Sequence, residues 1–216
     1  MSKRDITIIF DMDGTLIDTE KYFRVCWPKA AKHFGYHMTD EQALSLRSLG
    51  RPYAPAKFKE MFGEDVDYDK IRTYRKILME AELSKNGLEL MPGAKELLIY
   101  LKENNVKTAV ATASDLGRTK RYLSDAGILE YFDELISATM VEKGKPAPDI
   151  YLYACNELGI DPENVYAVED SPNGVLSAFR AGCKVIMVPN QTQPDEDLSK
   201  CLYAKADTLL DLKELV

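Results

Sequence analysis

Cysteine is scarce in this sequence, and long apolar runs are missing from it. Four cysteines occur in 216 residues, far apart and without a CxxC pair, which favours reduced core thiols over disulfides or zinc ligands. No stretch approaches about 18 consecutive apolar residues, the length that suggests a membrane span. The first residues lack the apolar stretch and the cleavage site of a signal peptide. We therefore expect a cytoplasmic protein without a membrane partner.

Positive charge is also in short supply. The 28 lysines and arginines are outnumbered by 35 aspartates and glutamates, the net charge is -7, and no basic tract occurs. We therefore expect no nucleic-acid partner. No heptad pattern or large apolar face demands a dimer, and we expect a monomer. With 216 residues, 45% of them hydrophobic, the chain can form one large domain or a core domain with a smaller one.

The sequence does contain a short apolar run that ends in two acids. Residues 6–10 have the pattern of a buried parallel strand, and Asp11 and Asp13 follow it, one residue apart, before Gly14. In open α/β sheets, ligands bind at the carboxyl ends of the strands. Two carboxylates this close are costly unless a cation or a shared proton offsets their charge. The run therefore predicts a divalent-metal site with chemistry.

A long helical region follows this first strand. Residues 19–88 carry apolar side chains at helical spacing and no strand signal. Gly35 and Thr39 mark the end of one helix and the start of the next, and residues 54–62 and 69–83 are also helix-like. A helical region of this length, placed directly after one strand, predicts an inserted all-helical cap domain.

From Pro92 onward, helices alternate with short apolar strands. The predicted strands comprise residues 106–112, 134–137, 165–169 and 184–188. Such alternation is typical of βαβ units and of a parallel sheet covered on both faces. We therefore predict an α/β fold, with a doubly wound, Rossmann-like parallel sheet and the helical cap inserted into it. The predicted core domain comprises residues 1–18 and 89–216, and the predicted cap domain comprises residues 19–88.

Chemically active side chains follow four of the predicted strands. They are Asp11 and Asp13, then Thr112 and Ser114, then Lys145, then Glu169 and Asp170. Carboxylates suit Mg²⁺, which prefers hard oxygen ligands, whereas a hydroxyl, a lysine and a helix N-terminus suit a phosphoryl group. Each element alone has an ordinary explanation, as a turn, a strand residue, a solvated lysine or a helix start. Their coincidence at one sheet edge favours a site for Mg²⁺ and phosphate.

Taken in order, these motifs resemble those of the haloacid dehalogenase superfamily. The matching segments are Asp11-Met12-Asp13-Gly14-Thr15, Thr112 at the end of an apolar strand, Lys145 before Pro146, and Glu169-Asp170-Ser171. The helical insert resembles the small cap of the subgroup that contains β-phosphoglucomutase and related sugar-phosphate phosphatases. The resemblance covers essentially the whole chain, and it implies a phosphoric monoester hydrolase.

The resemblance implies specific roles for the core residues. Asp11 is the expected nucleophile, which forms an aspartyl phosphate, and Asp13 is the expected general acid and base. Thr112 and Lys145 are expected to hold the phosphoryl oxygens. The expected cofactor is Mg²⁺. Its expected ligands are the Asp11 carboxylate, the Asp13 carbonyl and Asp170, with Glu169 holding a water of the metal ion.

The cap is expected to exclude water and to read the part of the substrate that carries no phosphate. The expected substrate contacts are Arg51, Arg47, Ser114 and Glu20. For the two arginines the alternative interpretation is a solvated basic helix end. Trp27 is expected in the core of the cap rather than as a platform for substrate.

Three positions differ from β-phosphoglucomutase. Phe23 stands where the mutase carries a cap histidine, Asp115 stands where it carries a lysine, and Thr15 replaces the valine that ends its first motif. A mutase must keep its phosphoenzyme away from water, and that histidine is thought to couple cap closure to the general acid. We therefore predict a phosphatase for a small phosphorylated metabolite, a sugar or polyol phosphate, with a β-phosphoglucomutase-type mutase as the alternative.

Other activities fit the sequence less well. A dehalogenase lacks the acid and base that Asp13 supplies here. A phosphonatase needs a Schiff-base lysine in the cap, for which Lys21 is the candidate. A phospho-accepting, receiver-like switch protein also uses an acidic metal pocket with a hydroxyl and a lysine, but a long cap would hide that pocket from a partner kinase.

Overall fold

A computed structural model describes residues 6–214 as helices arranged around one six-stranded sheet. The strands are β1 (Thr7–Phe10), β2 (Lys107–Thr112), β3 (Glu134–Ser137), β4 (Val165–Glu169), β5 (Lys184–Met187) and β6 (Ala204–Lys205). They lie in the order β3-β2-β1-β4-β5-β6, and every neighbouring pair is parallel. The predicted α/β fold is confirmed. Strand β6 was not predicted, because two residues are too few to show a periodic pattern.

The first four helices after β1 form the helical insert. They are α1 (Glu20–His33), α2 (Asp40–Ser45), α3 (Tyr53–Phe62) and α4 (Tyr68–Asn86). They share an apolar core in which the Trp27 and Phe58 rings lie 5.2 Å apart and the Phe58 and Tyr68 rings 4.9 Å apart. Helix α2 begins with a capping box, in which the backbone amides and side chains of Thr39 and Gln42 bond reciprocally. The predicted helical insert is present, with Trp27 in its core.

The remaining helices cover both faces of the sheet. They are α5 (Ala94–Glu103), α6 (Leu116–Asp125), α7 (Asp149–Leu158), α8 (Pro172–Ala181) and α9 (Glu196–Ser199). Ile8 and Phe10 of β1 pack into one core with α5 and α6, and Ile9 packs into the other with α7 and α8. Successive residues of a strand point to opposite faces. A strand covered on both faces is therefore apolar nearly throughout, which explains the apolar run of residues 6–10.

The topological switch point of the sheet lies beside β1. The chain runs from β1 outward through β2 to β3, and then crosses back to β4 on the other side of β1. The Asp11 amide donates to the Val168 carbonyl at 2.9 Å, so the loop after β1 starts beside the carboxyl end of β4. Crevices at such switch points, at the carboxyl ends of the strands, are where open α/β sheets bind ligands.

The two connections between the sheet and the helical insert lie side by side. The Asp18 amide donates to the Glu89 carbonyl at 2.9 Å, and the Met91 amide donates to the Leu16 carbonyl at 2.9 Å. Ile17 also forms an antiparallel bridge with Leu90. The chain therefore enters and leaves the helical insert through one paired segment.

The structure also locates the cysteines and gives the lengths of the helices. Cys26, Cys155 and Cys183 are buried free thiols, and Cys201 is a partly exposed free thiol. Within residues 6–214, no helix is both long enough and apolar enough to cross a membrane.

Candidate active site

The carboxyl ends of the strands bring the motif residues together in one buried cluster. Asp11 and Asp13 follow β1, Thr112 ends β2, Glu169 ends β4, and Asp170 follows it. Each of these side chains is less than one-tenth exposed. The turn after Asp13 depends on Gly14, whose φ of +88° is in the left-handed region that favours glycine. Burial of so many acids requires compensating charge, and the structure places cations beside them.

Lys145 is the first of these cations. Its Nζ donates to Asp11 Oδ1 at 2.6 Å, to Glu169 Oε1 at 2.6 Å and to the Ala111 carbonyl at 2.8 Å. Burial works to lower the pKa of Lys145, but the charges of the two carboxylates outweigh it and raise that pKa above its usual value. The Tyr151 hydroxyl adds a bond of 2.6 Å to Glu169 Oε1. The ammonium therefore stays charged between the two acids.

Three carboxylates at this edge form a site that fits a metal ion. Oxygens of Asp11, Glu169 and Asp170 all lie within 4.8 Å of one another. Asp11 Oδ2 and Glu169 Oε2 are buried and have no hydrogen-bond partner among residues 6–214. Burial raises the pKa of Asp11 to about 7 and that of Asp170 to about 7, although Lys145 and Arg47 oppose the shifts. Hard oxygen donors with unpaired charge are the set that Mg²⁺ binds.

Asp13 has different surroundings from Asp11. Its Oδ1 accepts hydrogen bonds from Thr19 Oγ1 at 2.6 Å and from an Arg118 Nη2 at 2.7 Å, and its Oδ2 accepts from Ser114 Oγ at 2.8 Å. The side chain is thereby aimed by three donors and stands apart from the acidic cluster. Sequence reasoning missed Thr19 and Arg118. Arg118 lies four residues after Ser114, in the first turn of α6. This spacing is the one feature of the sequence that could have pointed to Arg118 as a residue of the site.

Thr112 lies at the base of the same crevice. It is fully buried, and its Oγ1 accepts a hydrogen bond from the Ser114 amide at 3.1 Å. The Ser137 hydroxyl donates to the Ser114 carbonyl at 2.7 Å, which fixes the loop after β2 from the end of β3. In the described part of the chain the Thr112 hydroxyl only accepts, so its proton can be donated to a bound group.

A cavity of about 330 Å³ lies between this edge of the sheet and the helices α1, α2 and α4. Asp11 and Asp13 form its floor, and Arg51, Ser114 and Glu20, all expected substrate contacts, are among the residues that line it. Arg51 is a half-exposed residue that forms an ion pair with Asp69. Glu20 is buried, and its burial raises its pKa well above the usual value. The cavity has the size of a small metabolite rather than that of a polymer.

Arg47, the fourth expected substrate contact, also lines the cavity but is bound to the acidic cluster. Its guanidinium forms an ion pair with Asp170, donates to Thr192 Oγ1 at 2.8 Å, and lies 3.5 Å from a Glu20 carboxylate oxygen. It is 4% exposed. In this structure Arg47 is buried and neutralises Asp170. It is therefore not the solvated basic helix end of the alternative interpretation.

Phe23 and Lys21 of α1 bear on the choice between a phosphatase, a mutase and a phosphonatase. Phe23 contacts two guanidinium groups, with Arg75 at 4.7 Å and Arg118 at 4.9 Å from its ring centroid. Lys21 pairs with Asp18 and Glu89 outside the cavity, and these bonds raise its pKa. A Schiff-base lysine needs the opposite shift, so the phosphonatase interpretation loses its candidate.

Comparisons with known proteins agree with this geometry. A family model described as haloacid dehalogenase-like hydrolase matches residues 8–188. The chain is 32% identical over 182 residues to the phosphorylated carbohydrates phosphatase of Thermotoga maritima, covering 83% of this chain and 82% of that protein. The structure of CbbY from Rhodobacter sphaeroides in complex with phosphate is similar, with a TM-score of 0.77, 26% identity and 95% of each chain covered. β-Phosphoglucomutase from Clostridium difficile shares the fold, with a TM-score of 0.80 at 23% identity, covering 95% of this chain and 92% of that one.

Proposed function

Because the chain belongs to the haloacid dehalogenase-like hydrolase family, we propose that it is a Mg²⁺-dependent phosphatase for a small phosphorylated sugar or polyol. The observation that carries this proposal is the 2.6 Å contact of Lys145 with Asp11, beside the acidic cluster. A carboxylate held by a lysine can approach an anionic phosphoryl group because the lysine offsets the repulsion. The similarity to a phosphatase named for phosphorylated carbohydrates supports the substrate class.

The proposed reaction has two steps. In the first, an Asp11 oxygen attacks phosphorus and forms an aspartyl phosphate, while Asp13 gives its proton to the leaving alcohol. In the second, Asp13 takes a proton from the water that attacks phosphorus, and Asp11 is regenerated with release of inorganic phosphate. Thr112 and Lys145 hold the phosphoryl oxygens in both steps. The three hydrogen bonds to Asp13 support its separate role, because they orient it independently of Asp11.

The proposed metal ligands are the Asp11 carboxylate, the Asp13 carbonyl and Asp170, with Glu169 beside them. The buried, unpaired oxygens of Asp11 and Glu169 support this set. A bound Mg²⁺ supplies positive charge that offsets the carboxylates and the phosphoryl oxygens. Lys145 offsets the repulsion between the other oxygens of Asp11 and Glu169, since its ammonium contacts both.

Residues 19–88 are proposed to act as a cap that closes over the site and excludes water. The paired connections at residues 16–18 and 89–91 are the proposed hinge, since the chain enters and leaves the helices there. Arg51, Arg47, Ser114 and Glu20 are the proposed contacts to the rest of the substrate. A cytoplasmic location and a monomeric state stay predictions.

Phosphatase is preferred to mutase because of what surrounds Phe23. Phenylalanine carries no titratable group, and the Phe23 ring contacts the guanidinium groups of Arg75 and Arg118, so this position cannot link closure of the helices to the protonation of Asp13. A receiver-like switch is disfavoured because α1–α4 stand over the acidic cluster and leave a cavity of only about 330 Å³.

The nucleophile assignment is tested by the Asp11→Asn substitution. We expect phosphate release from p-nitrophenyl phosphate in Mg²⁺ to fall on the order of 10³-fold or more, because the amide is a poor nucleophile. The control is Asp125→Asn, at the exposed end of α6, which is expected to retain wild-type activity. Undiminished release by Asp11→Asn would overturn the assignment.

A second measurement separates phosphatase from mutase. Wild-type protein is incubated with β-glucose 1-phosphate and Mg²⁺, and both inorganic phosphate and glucose 6-phosphate are followed. The proposal expects free phosphate without glucose 6-phosphate. Accumulation of glucose 6-phosphate would favour the mutase, and an aspartyl phosphate that persists for minutes without turnover would favour the switch.

A further inference from the structure

The cavity above the acidic cluster is lined by several cations, and most of them already have an anionic partner. The ion pairs are Arg47 with Asp170, Arg51 with Asp69, Lys76 with Asp115, and Arg118 with Asp13. Arg75 of α4 also lines this cavity. Within residues 6–214 it forms no ion pair with any carboxylate. Arg75 is therefore a cation in the wall of the cavity that is in contact with no carboxylate of the described residues.

The surroundings of Arg75 make this absence costly. The residue is 4% exposed, and its Nε has no hydrogen-bond partner in the described part of the chain. Its Nη1 donates to the Met79 sulfur at 3.0 Å, and a thioether sulfur is a weak acceptor. The guanidinium lies 4.7 Å from the centroid of the Phe23 ring and 4.8 Å from that of Trp27. Aromatic faces attract a cation, but they provide no acceptor for its N–H groups.

Neighbouring positive charges increase the electrostatic strain. Burial, together with the charges of Arg118 and Arg72, lowers the pKa of Arg75 to about 9, although Tyr68 and Asp13 oppose the shift. Arg72 and Arg118 line the same cavity. An anion placed among these three guanidinium groups would relieve both their mutual repulsion and the unmet hydrogen bonds of Arg75. A hydroxyl group of a ligand would accept hydrogen bonds from Arg75 but would leave the positive charge of the guanidinium groups without a counter-charge.

We propose that Arg75 binds a second anionic group of the substrate, a phosphate or a carboxylate, remote from the phosphoryl group that Asp11 receives. This inference rests on the proposed phosphatase function and narrows its substrate class to phosphorylated sugars or polyols that carry another negative charge. The planar guanidinium suits both anions, because its N–H groups match two oxygens at once. Neutral polyol phosphates are then poor substrates.

Binding to the Asp11→Asn protein in Mg²⁺ tests the inference without turnover. Three ligands share a six-carbon chain: sorbitol 6-phosphate with a neutral tail, 6-phosphogluconate with a carboxylate, and hexitol 1,6-bisphosphate with a second phosphate. Calorimetry is expected to give about 10-fold to 100-fold tighter binding for at least one of the charged tails, as for a charge-assisted hydrogen bond. The stronger of the two identifies the anion. Equal affinity for all three ligands would overturn the inference.

Substitution of the arginine locates the effect. In the Asp11→Asn background, Arg75→Met is expected to remove most of the preference for the charged tail, because methionine fills the apolar space without charge. Arg75→Lys is expected to keep part of it. The matched control is Lys85→Met, which removes one exposed charge from the same helix and is expected to keep the full preference. Equal weakening of all three ligands by Arg75→Met, with Arg75→Lys unable to restore the preference, would assign Arg75 a packing role and overturn the inference.

Failure of this inference is distinguishable from failure of the proposed function. A wild-type protein that releases phosphate from sorbitol 6-phosphate as readily as from the charged analogues is a phosphatase without the second anion site. A protein that binds the charged ligands more tightly but releases phosphate from none of them, nor from p-nitrophenyl phosphate, has the anion site without the proposed activity.

Discussion

Two aspartates that are one residue apart in the sequence lie in different electrostatic surroundings. Asp11 contacts Lys145 and the acidic cluster, and burial raises its pKa to about 7. Asp13 accepts hydrogen bonds from Thr19, Ser114 and Arg118. The first environment suits a group that binds a cation and attacks phosphorus, and the second suits a group that must be aimed at a leaving oxygen. The proposed division of roles follows from these neighbours.

The raised pKa values predict how metal binding depends on pH. Asp11 and Asp170 must lose their protons to bind Mg²⁺, and the pKa of each is about 7 without metal. Fewer of these groups are ionised as pH falls below 7, so Mg²⁺ affinity is expected to drop by about 10-fold or more between pH 7.5 and 5.5. Calorimetry in buffers of different ionisation enthalpy measures both the affinity and the protons released. Constant affinity over this range would contradict the prediction.

Lys145 is expected to hold the metal-free site together. Lys145→Met leaves Asp11 and Glu169 buried without their common counter-charge, which is expected to lower the free energy of unfolding by about 3–5 kcal/mol. Urea denaturation without metal measures the loss, and added Mg²⁺ is expected to recover part of it. Lys143→Met, at an exposed position two residues away, is the control and should change stability little. Similar losses in both variants would contradict the assigned contact.

At the scale of elements, the loop between α2 and α3 docks on the loop that carries Lys145. The Gly50 amide donates to the Lys145 carbonyl at 2.8 Å, and the Gly144 amide donates to the Arg51 carbonyl at 2.7 Å. A Cβ at Gly50 would lie 2.6 Å from the Gly144 Cα. Only glycines allow the two backbones to approach this closely. The contact therefore joins the helical insert to the segment that positions the lysine.

The Gly50→Ala substitution tests that contact. The added methyl group forces the loops apart, so kcat/KM for phosphate release is expected to fall by about 10-fold to 100-fold, as for a misplacement of about 1 Å. The melting temperature should change less than the activity, because the added methyl group disturbs a contact between two loops and removes no apolar side chain from a core. Gly117→Ala is the control, since its Cβ would meet no atom closer than 3.7 Å. Full activity in Gly50→Ala would show that the contact is dispensable.

At the scale of the whole molecule, the site joins segments that are far apart in the chain. Residues near 11, 112, 145 and 170 meet because β1 lies between β2 and β4. The helical insert covers the same edge and adds Arg47 to Asp170. A ligand that binds there contacts both parts of the molecule, so binding is linked to the stability of the folded chain as a whole.

Thermal unfolding tests this linkage. Mg²⁺ alone, at about 100 times its dissociation constant, is expected to add about 2.7 kcal/mol to the free energy of unfolding. For a chain of 216 residues, this is a rise of roughly 5–10 °C in melting temperature. Asp170→Asn is expected to lose most of the rise that depends on Mg²⁺. An equal rise in that variant would place the metal elsewhere.

The sequence alone predicted the parallel sheet, the helical insert and the polar residues at the strand ends. These features depend on local signals: strand and helix periods, turn residues, and the rule that parallel strands end at one edge. Thus Asp11, Thr112, Lys145 and Asp170 were predicted to share one sheet edge. In the structure Asp11 contacts Lys145 and lies within 4.8 Å of Asp170, and Thr112 ends the neighbouring strand β2.

Only the tertiary structure decided how the arginines are used. Arg47 neutralises Asp170, and Arg118 orients Asp13. Arg75 is buried against the Phe23 and Trp27 rings and has no acidic partner among residues 6–214. These outcomes depend on which faces of distant helices meet over the site, and no period or spacing carries that information. Local sequence patterns therefore determine which polar residues stand at the sheet edge, whereas the arrangement of the arginines around the cavity depends on long-range packing.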